Sequence, residues 1–264
     1  MSKRKPKSID RVYVVTDLEG VAGVDYWDPR HAKYANQARG VFERSEAQRL
    51  LTREVNAACE GLLEIGVSEV LVNDAHGAGR TILYEELTPH VSIARGQKRP
   101  HYLIGFGPRF DAIVQVGMHA MANTPNACLC HTMSWGQVYR FNGQEVGEMQ
   151  MVAYVAGQFG IPWIFTSGDW HACQEAEAWV PGMVCVPVKE GLSEECAIHM
   201  APDDARDLIF QGVMESVDAA EYIEPLVIEG PVTLEIEQES PWPEEERTGA
   251  ERVNDHTLRF VGET

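Results

Sequence analysis

The chain has 264 residues, 44% of them apolar, which is enough for one large domain with a substantial core. Its 22 basic and 40 acidic residues give a formal charge of −18, which argues against binding to nucleic acid or to anionic membranes, because both need a cationic surface. No stretch approaches the ~20 apolar residues of a membrane span, and six cysteines without disulfide-framework spacing predict reduced thiols and a cytoplasmic location.

The chain begins with a basic segment, followed by a strand that ends in two acidic residues. Four basic residues lie within the first eight, so residues 1–10 are predicted to form a flexible basic leader. The run 12–16 is rich in β-branched residues and predicts a buried strand. Asp17 and Glu19 follow it, and alternate residues of an extended chain face the same way. A cation would relieve the repulsion between these carboxylates, whereas a solvated strand exit would need none.

The next elements predict a βαβ unit with a histidine at its far end. Apolar residues recur at helical spacing over 45–65, and a short apolar strand follows at 69–73. His76 comes after this strand and should leave the sheet at the same edge as the two acids. A stronger strand at 112–116 is followed by His119, so a third strand delivers a metal-competent side chain to that edge.

The second half of the chain continues the alternation of strands and helices. The dipeptide Asn142-Gly143 predicts a β-hairpin over 138–146, and Glu148 then opens a helix. Further strands are predicted at 163–166, 183–188, 232–236 and 257–261, the last two as half-exposed antiparallel partners.

Together these elements predict an α/β fold: a mostly parallel central sheet flanked by helices, with a smaller C-terminal α+β part. We expect a catalytic domain over 11–223. The acidic segment 224–264 should pack its edge strands on that domain.

Candidate metal ligands lie at the ends of elements that should share one sheet edge. Mixed carboxylate and imidazole sets suit zinc, and also manganese or iron. Five groups exceed the three protein ligands of one catalytic zinc ion and fit two ions if a carboxylate bridges them, for which Asp17 is best placed. Taken singly, each has an ordinary alternative as a capping, surface or helix-terminus residue. The five are Asp17, Glu19, His76, His119 and Glu148.

His131 lies about a dozen residues after His119 and could reach the same cleft. It could act as a general acid or base, stabilise an oxyanion, or serve as one more ligand. Cys128 and Cys130 precede it, so a Cys-x-Cys-His metal or redox site must be considered. We disfavour that site because alternation along an apolar strand would turn both thiols to one face, where they act as small buried hydrophobes.

Five motifs follow one another in a characteristic order and spacing: Asp17-Leu18-Glu19-Gly20-Val21-Ala22-Gly23, Val72-Asn73-Asp74-Ala75-His76, Gly117-Met118-His119-Ala120, His131-Thr132-Met133 and Val146-Gly147-Glu148. With them the sequence resembles the zinc-dependent D-aminopeptidases of the bacterial dipeptide-transport operon type. The similarity extends over 11–223 and more weakly over 252–261.

The resemblance implies two zinc ions bridged by Asp17. It further implies that one ion also takes Glu19 and His119, and that the other takes His76 and Glu148.

The resemblance also implies that His131 is catalytic, a residue described in the family as the nucleophile. Because zinc lowers the pKa of its bound water to about 7, a proton shuttle or oxyanion stabiliser is the physically favoured role for His131. A further implication is a homodecamer of two stacked pentameric rings.

The predicted function is therefore that of a dinuclear metallo-aminopeptidase. It would hydrolyse the N-terminal residue of short peptides or amides through a zinc-bound hydroxide, with a preference for D-residues that rests on the resemblance. One alternative is another dinuclear-metal amidase, esterase or phosphoester hydrolase. Phosphoester cleavage ranks lower, because phosphate sites recruit Arg or Lys and basic residues are sparse near these motifs, with Arg80 and Arg140 the nearest candidates. The other alternative is a non-catalytic binding protein on the same fold.

Overall fold

A computed structural model describes residues 8–77, 79–243 and 249–263. Residues 1–7 of the predicted leader and 244–248 of the acidic C-terminal segment therefore lie outside the described residues. The strands are β1 (Arg11–Thr16), β2 (Glu69–Asp74), β3 (Ser92–Ala94), β4 (Ala112–Met118), β5 (Gln137–Phe141), β6 (Gln144–Val146), β7 (Trp163–Asp169), β8 (Val184–Ser193), β9 (Cys196–His199), β10 (Val232–Gln238), β11 (Glu251–Arg252) and β12 (Thr257–Gly262). The α-helices are α1 (Ala38–Glu64), α2 (Glu148–Gly157), α3 (Trp170–Trp179) and α4 (Pro202–Ala219).

In the described part of the chain, seven strands form the central sheet, in the order β3-β2-β1-β4-β7-β8-β9. Neighbouring strands are parallel, except for the antiparallel pair β8 and β9. Helices α1 and α4 pack together and against the sheet, as do α2 and α3. The predicted α/β fold is confirmed. Residues 12–15 of β1 are fully buried, which is why this central parallel strand has a continuous apolar sequence.

The elements differ from the sequence predictions mainly at their ends. Helix α1 begins at Ala38 rather than at residue 45. Its first turns carry exposed side chains, among them Val41 and Phe42, so no apolar stripe marks them in the sequence. The edge strand β9 is short and half-exposed, and it was not predicted from the sequence. None of the helices within the described ranges is long and apolar enough to cross a membrane.

A second, antiparallel sheet has the order β11-β12-β10-β5-β6 in the described residues. The predicted hairpin β5–β6 and the predicted pairing of β10 with β12 are both present. Asn142 and Gly143 have φ values of 47° and 83°, as a tight hairpin turn requires. Strand β10 also pairs with β5, from Leu234 with Phe141 to Gln238 with Gln137. The C-terminal strands thus pack on the rest of the chain by extending the sheet of this hairpin.

Two glycines let the segment after β1 lie directly against the end of β4. The Gly20 N–H donates to Gly117 O at 2.9 Å. A Cβ on Gly20 would lie 1.9 Å from Met118 O, and one on Gly117, which has a φ of 78°, would lie 2.2 Å from Asp17 O. Only glycine permits this approach, which brings the acids after β1 beside the histidine after β4.

Candidate metal centre

Asp17 and Glu19 leave the end of β1 with both carboxylates almost fully buried, at 5% and 4% exposure. Although β1 ends at Thr16, the Asp17 N–H still donates to Val116 O on β4 at 2.9 Å. The Asp17 side chain accepts the Leu18 N–H at 2.9 Å, which fixes its orientation. The two carboxylates consequently face one point, with ligand atoms within 4.8 Å of each other and of His119.

His76 lies between carboxylates on both sides of its ring. Its Nδ1 is 2.9 Å from Asp17 Oδ1 and 3.1 Å from Glu19 Oε2. Its Nε2 is 3.1 Å from Asp28 Oδ2. Burial would lower the pKa of His76, but the charge of Glu19 and the hydrogen bonds to Asp17 and Asp28 outweigh it and raise the pKa well above its ordinary value.

His119 follows β4 and is buried, at 3% exposure. Its Nδ1 donates to Ala120 O at 2.8 Å, which leaves Nε2 to face the carboxylates. Nε2 lies 3.1 Å from Asp17 Oδ2 and 3.5 Å from Glu148 Oε1, yet it makes no proper hydrogen bond to any described residue. It is therefore a buried ligand atom that faces two carboxylates without a well-formed hydrogen bond to either.

Glu148 and His131 complete the cluster on the other side of His119. Glu148 is the first residue of α2, and its Oε1 accepts the Met133 N–H at 2.8 Å. The same oxygen lies 3.7 Å from His131 Nε2. The rings of His131 and His119 stack, with centroids 4.0 Å apart. Nδ1 of His131 donates to Leu129 O at 3.0 Å, so Nε2 is the nitrogen directed into the site.

Carboxylates and imidazoles of the cluster stabilise each other's charged forms. Burial raises the pKa of the Asp17 and Glu148 carboxyls, but their contacts with His119 lower both pKa values below the usual range. The same contacts raise the pKa of His119 despite its burial. A metal binds neutral imidazole and ionised carboxylate, so binding here would replace the imidazole protons.

The residues present fit a metal centre. Among the described residues, the groups able to hold an ion are Asp17, Glu19 and His119, and His119, His131 and Glu148, each with ligand atoms within 4.8 Å. Nε2 of His119 and Oε2 of Glu19 are buried beside groups of opposite charge but make no hydrogen bond of good geometry within the described residues, as expected of atoms that a cation would satisfy. Asp17 contacts both His76 and His119, so it links two of the other four predicted ligands.

A cleft of about 480 Å³ opens beside His131. Trp135 on its wall packs edge-on against Trp27, which in turn packs edge-on against the His131 ring. Arg140 also lines the cleft, but its guanidinium is paired with Glu145 and Glu237. The wall also includes acidic and amide side chains, namely Asn123, Asn126, Gln137, Glu194, Gln238 and Glu239.

Comparison with known proteins decides the family. Residues 11–264 match peptidase family M55, described as D-aminopeptidase. The chain belongs to the D-aminopeptidase family. A D-aminopeptidase of Bacillus subtilis (strain 168) is 27% identical over 229 residues, which cover 86% of this chain and 81% of that protein. The solved structure of the Zn-dependent D-aminopeptidase DppA from Bacillus subtilis, described as a self-compartmentalizing protease, matches with a TM-score of 0.87 at 25% identity, covering 96% of this chain and 92% of that chain.

The family resemblance inferred from the five motifs is thereby confirmed, and with it the peptidase class. The residues that surround the five predicted ligands are seen in the structure. Asp28 holds the far nitrogen of His76, and its own pKa falls to about 2 because the hydrogen bond from His76 outweighs the effect of burial. Such a carboxylate behind a metal-binding histidine fixes the orientation of the ring. Asp28 stands before Pro29 in a polar loop, where the sequence marks it only as a turn residue.

The prediction for the two cysteines before His131 is corrected by the structure. Residues 127–131 form turns rather than an apolar strand, and Leu129 has a φ of 55°. Cys128 is buried and Cys130 is half-buried, so alternation does not place their thiols on one face. The metal-competent groups found among the described residues include neither cysteine.

Glu54 is a buried acid on α1 that the sequence analysis did not single out. It lies within the apolar stripe of that helix, between Leu51 and Ala58. Its Oε1 accepts the Ala22 N–H at 2.9 Å, while its Oε2 has no partner in the described chain. Burial raises the pKa of Glu54 to about 8, an effect that the Ala22 N–H and the charges of Lys189 on β8 and Arg206 on α4 only partly offset.

The raised pKa of Glu54 predicts a specific dependence of stability on pH. Glu54 is protonated in the folded protein up to about pH 8 but ionises near 4.5 when unfolded, so the folded state binds one more proton between these values. Its contribution therefore falls as pH rises through this window, by at most ~1.4 kcal/mol per pH unit. We expect Glu54→Gln to remove this pH dependence. Urea unfolding should therefore show that, between pH 5 and pH 8, the free energy of unfolding of the variant rises by ~3 kcal/mol relative to that of the wild type.

The matched control is Glu64→Gln, which changes an exposed acid of the same helix. It should follow the wild-type profile throughout. Parallel stability curves for wild type and Glu54→Gln would contradict the assignment of a protonated buried carboxyl.

Proposed function

We propose that this D-aminopeptidase family member is a dinuclear zinc aminopeptidase. It releases the N-terminal residue, in the D-configuration, from short peptides or amino-acid amides. The observation that carries the proposal is that Asp17 contacts His76 and His119 and lies close to Glu19, while Glu148 approaches His119 from its other side. The zinc dependence of the related DppA supports the choice of metal.

Asp17 would hold both ions. One ion would also take Glu19 and His119, and the other His76 and Glu148. The close grouping of Asp17, Glu19 and His119 supports the first set. The ions would polarise the scissile carbonyl group and lower the pKa of a water molecule.

The chain's own residues would supply binding and proton transfer. Carboxylates of the cluster would attract the free ammonium group of the peptide and orient it at the buried end of the site. Nε2 of His131 faces the site because Nδ1 is held by Leu129 O, so this nitrogen can pass a proton to the departing amine. The stacked ring of His119 and the edge of Trp27 keep the His131 ring in place.

The cleft beside His131 would receive the rest of the peptide. Its volume of about 480 Å³ suits a few residues rather than a folded protein. The amide side chains of its wall can pair with peptide groups, and Trp135 offers an apolar surface. A short peptide would thus lie with its leaving amine next to His131.

We also propose an oligomeric state and a cellular location for the protein. The description of DppA as self-compartmentalizing supports a homo-oligomer, which we propose to be a homodecamer. The six free cysteines support a reducing cytoplasm as its location.

The test combines elemental analysis with a substrate panel. We expect purified protein to contain two zinc ions per chain and to hydrolyse D-alanyl amides and peptides faster than their L-enantiomers. Removing the metal with a chelator should abolish turnover, and zinc should restore it.

Aryl esters and aryl phosphates serve as the controls for other dinuclear hydrolases. Preferential cleavage of either, or full activity without metal, would contradict the proposal. A metal-loaded protein without turnover on any substrate would favour a binding role.

A further inference from the structure

Lys189 is a buried cation close to the proposed metal centre, and it has no role in the proposed reaction. It lies on β8 and is only 3% exposed. Lysine is seldom buried so fully unless its ammonium group is paired. Here the Nζ donates to two backbone carbonyls, those of Glu19 and Val24, the second at 2.6 Å. The contacts therefore hold the course of the main chain rather than a single side chain.

The segment held by Lys189, residues 18–24, carries the proposed ligand Glu19 and has no regular secondary structure. Its buried carbonyl groups need donors from elsewhere in the fold. Other contacts hold the segment further along: Glu54 accepts the Ala22 N–H, and His199 Nδ1 accepts the Gly23 N–H, each at 2.9 Å. Among these three side chains, only Lys189 bonds to Glu19 itself.

The position of Glu19 matters because its side chain must meet ligand atoms from other elements. The Glu19 carboxylate lies within 4.8 Å of the ligand atoms of Asp17 and His119, which leave β1 and β4. Gly20 is fixed to Gly117 on the β4 side. Lys189 holds the segment from the β8 side, so Glu19 lies between two anchors.

We propose that Lys189 is a positioning residue of the metal centre: by holding the Glu19 and Val24 carbonyls, it sets where the Glu19 carboxylate meets the metal. This inference rests on the proposed function. Residues that orient ligands from behind typically change metal affinity 10- to 100-fold when lost. A lysine that only stabilised the fold would change unfolding without changing affinity.

The test uses Lys189→Met in the full-length protein, which keeps the length of the side chain and removes the donor. We expect the zinc affinity of the metal-free protein, measured by chelator competition, to fall about 10- to 100-fold. Amide hydrogen exchange over residues 18–24 should accelerate about tenfold, as the loss of a buried hydrogen bond implies. In the zinc-saturated enzyme kcat should fall more than KM rises.

Val186→Ala is the matched control. Val186 is buried on the same strand, and its side chain lies against Gly212 of α4. This variant should lower the melting temperature while zinc affinity and exchange over 18–24 stay at wild-type values. Should Lys189→Met not fold, Lys189→Gln, which can still donate to one carbonyl, is expected to show a smaller shift in the same direction.

The outcomes separate the two claims. Wild-type zinc affinity in a folded Lys189 variant overturns the positioning role, with or without faster exchange, and leaves the proposed function intact. A wild-type protein that binds no zinc and cleaves no peptide overturns the proposed function itself.

Discussion

Replacing Asp17 with asparagine should abolish peptide hydrolysis and reduce zinc binding at the same time. Asp17 contacts two imidazoles of the cluster, at 2.9 Å from His76 and 3.1 Å from His119. Asparagine keeps the oxygen that accepts the Leu18 N–H, so the local fold should persist while the charge is lost. Since the proposed metal ions would supply several kcal/mol of transition-state stabilisation, we expect kcat/KM to fall at least ~10³-fold.

Elemental analysis of Asp17→Asn should show fewer than two zinc ions per chain, and circular dichroism should show an intact fold. Asp25→Asn is the control, because this half-exposed carboxylate contacts His199 and none of the five predicted ligands. It should retain both metal and activity. Two tightly bound zinc ions and wild-type turnover in Asp17→Asn would rule out the bridging role.

The parts of the fold that the sequence predicts are those in which burial leaves a repeating pattern. Strand β1 is buried on both faces, so its β-branched run is continuous, and α1 shows its apolar stripe from Leu51 onwards. The pairing of β10 with β5 is different, because both strands are half-exposed and nearly a hundred residues separate them. The periodicity within each strand does not specify which strand it pairs with, so the order of the second sheet could not be predicted from the sequence.

The residues of the candidate site also differ in how far the sequence predicts their positions. Asp17 and Glu19 could be predicted because each follows a strand whose end must lie at the ligand-binding edge of the sheet. His131 lies in a segment of turns, with positive φ at Asn126 and Leu129, so its stacking on His119 follows from no periodic pattern. One sequence feature could have indicated a role for Lys189: it is a charged residue that follows the apolar run of β8 at the same edge of the sheet.

Substituting His131 should separate catalysis from metal binding. We expect His131→Ala to lower kcat by ~10²- to 10⁴-fold, the usual effect of losing a positioned general acid or base, while both zinc ions remain bound. The exposed His101 offers a control, and His101→Gln should behave as wild type. Loss of one zinc ion together with activity would instead make His131 a ligand, a role for which its grouping with His119 and Glu148 leaves room.

The leaving group then distinguishes between the remaining roles of His131. If Nε2 protonates the departing amine, a D-alanyl p-nitroanilide, whose amine leaves without prior protonation, should largely escape the penalty of His131→Ala. If the ring stabilises the oxyanion or attacks the carbonyl, the loss should be similar for the anilide and for a D-alanyl peptide. The direction of Nε2, fixed by the Leu129 carbonyl behind the ring, favours the first result. Equal losses on both substrates would show that His131 acts before the carbon–nitrogen bond breaks.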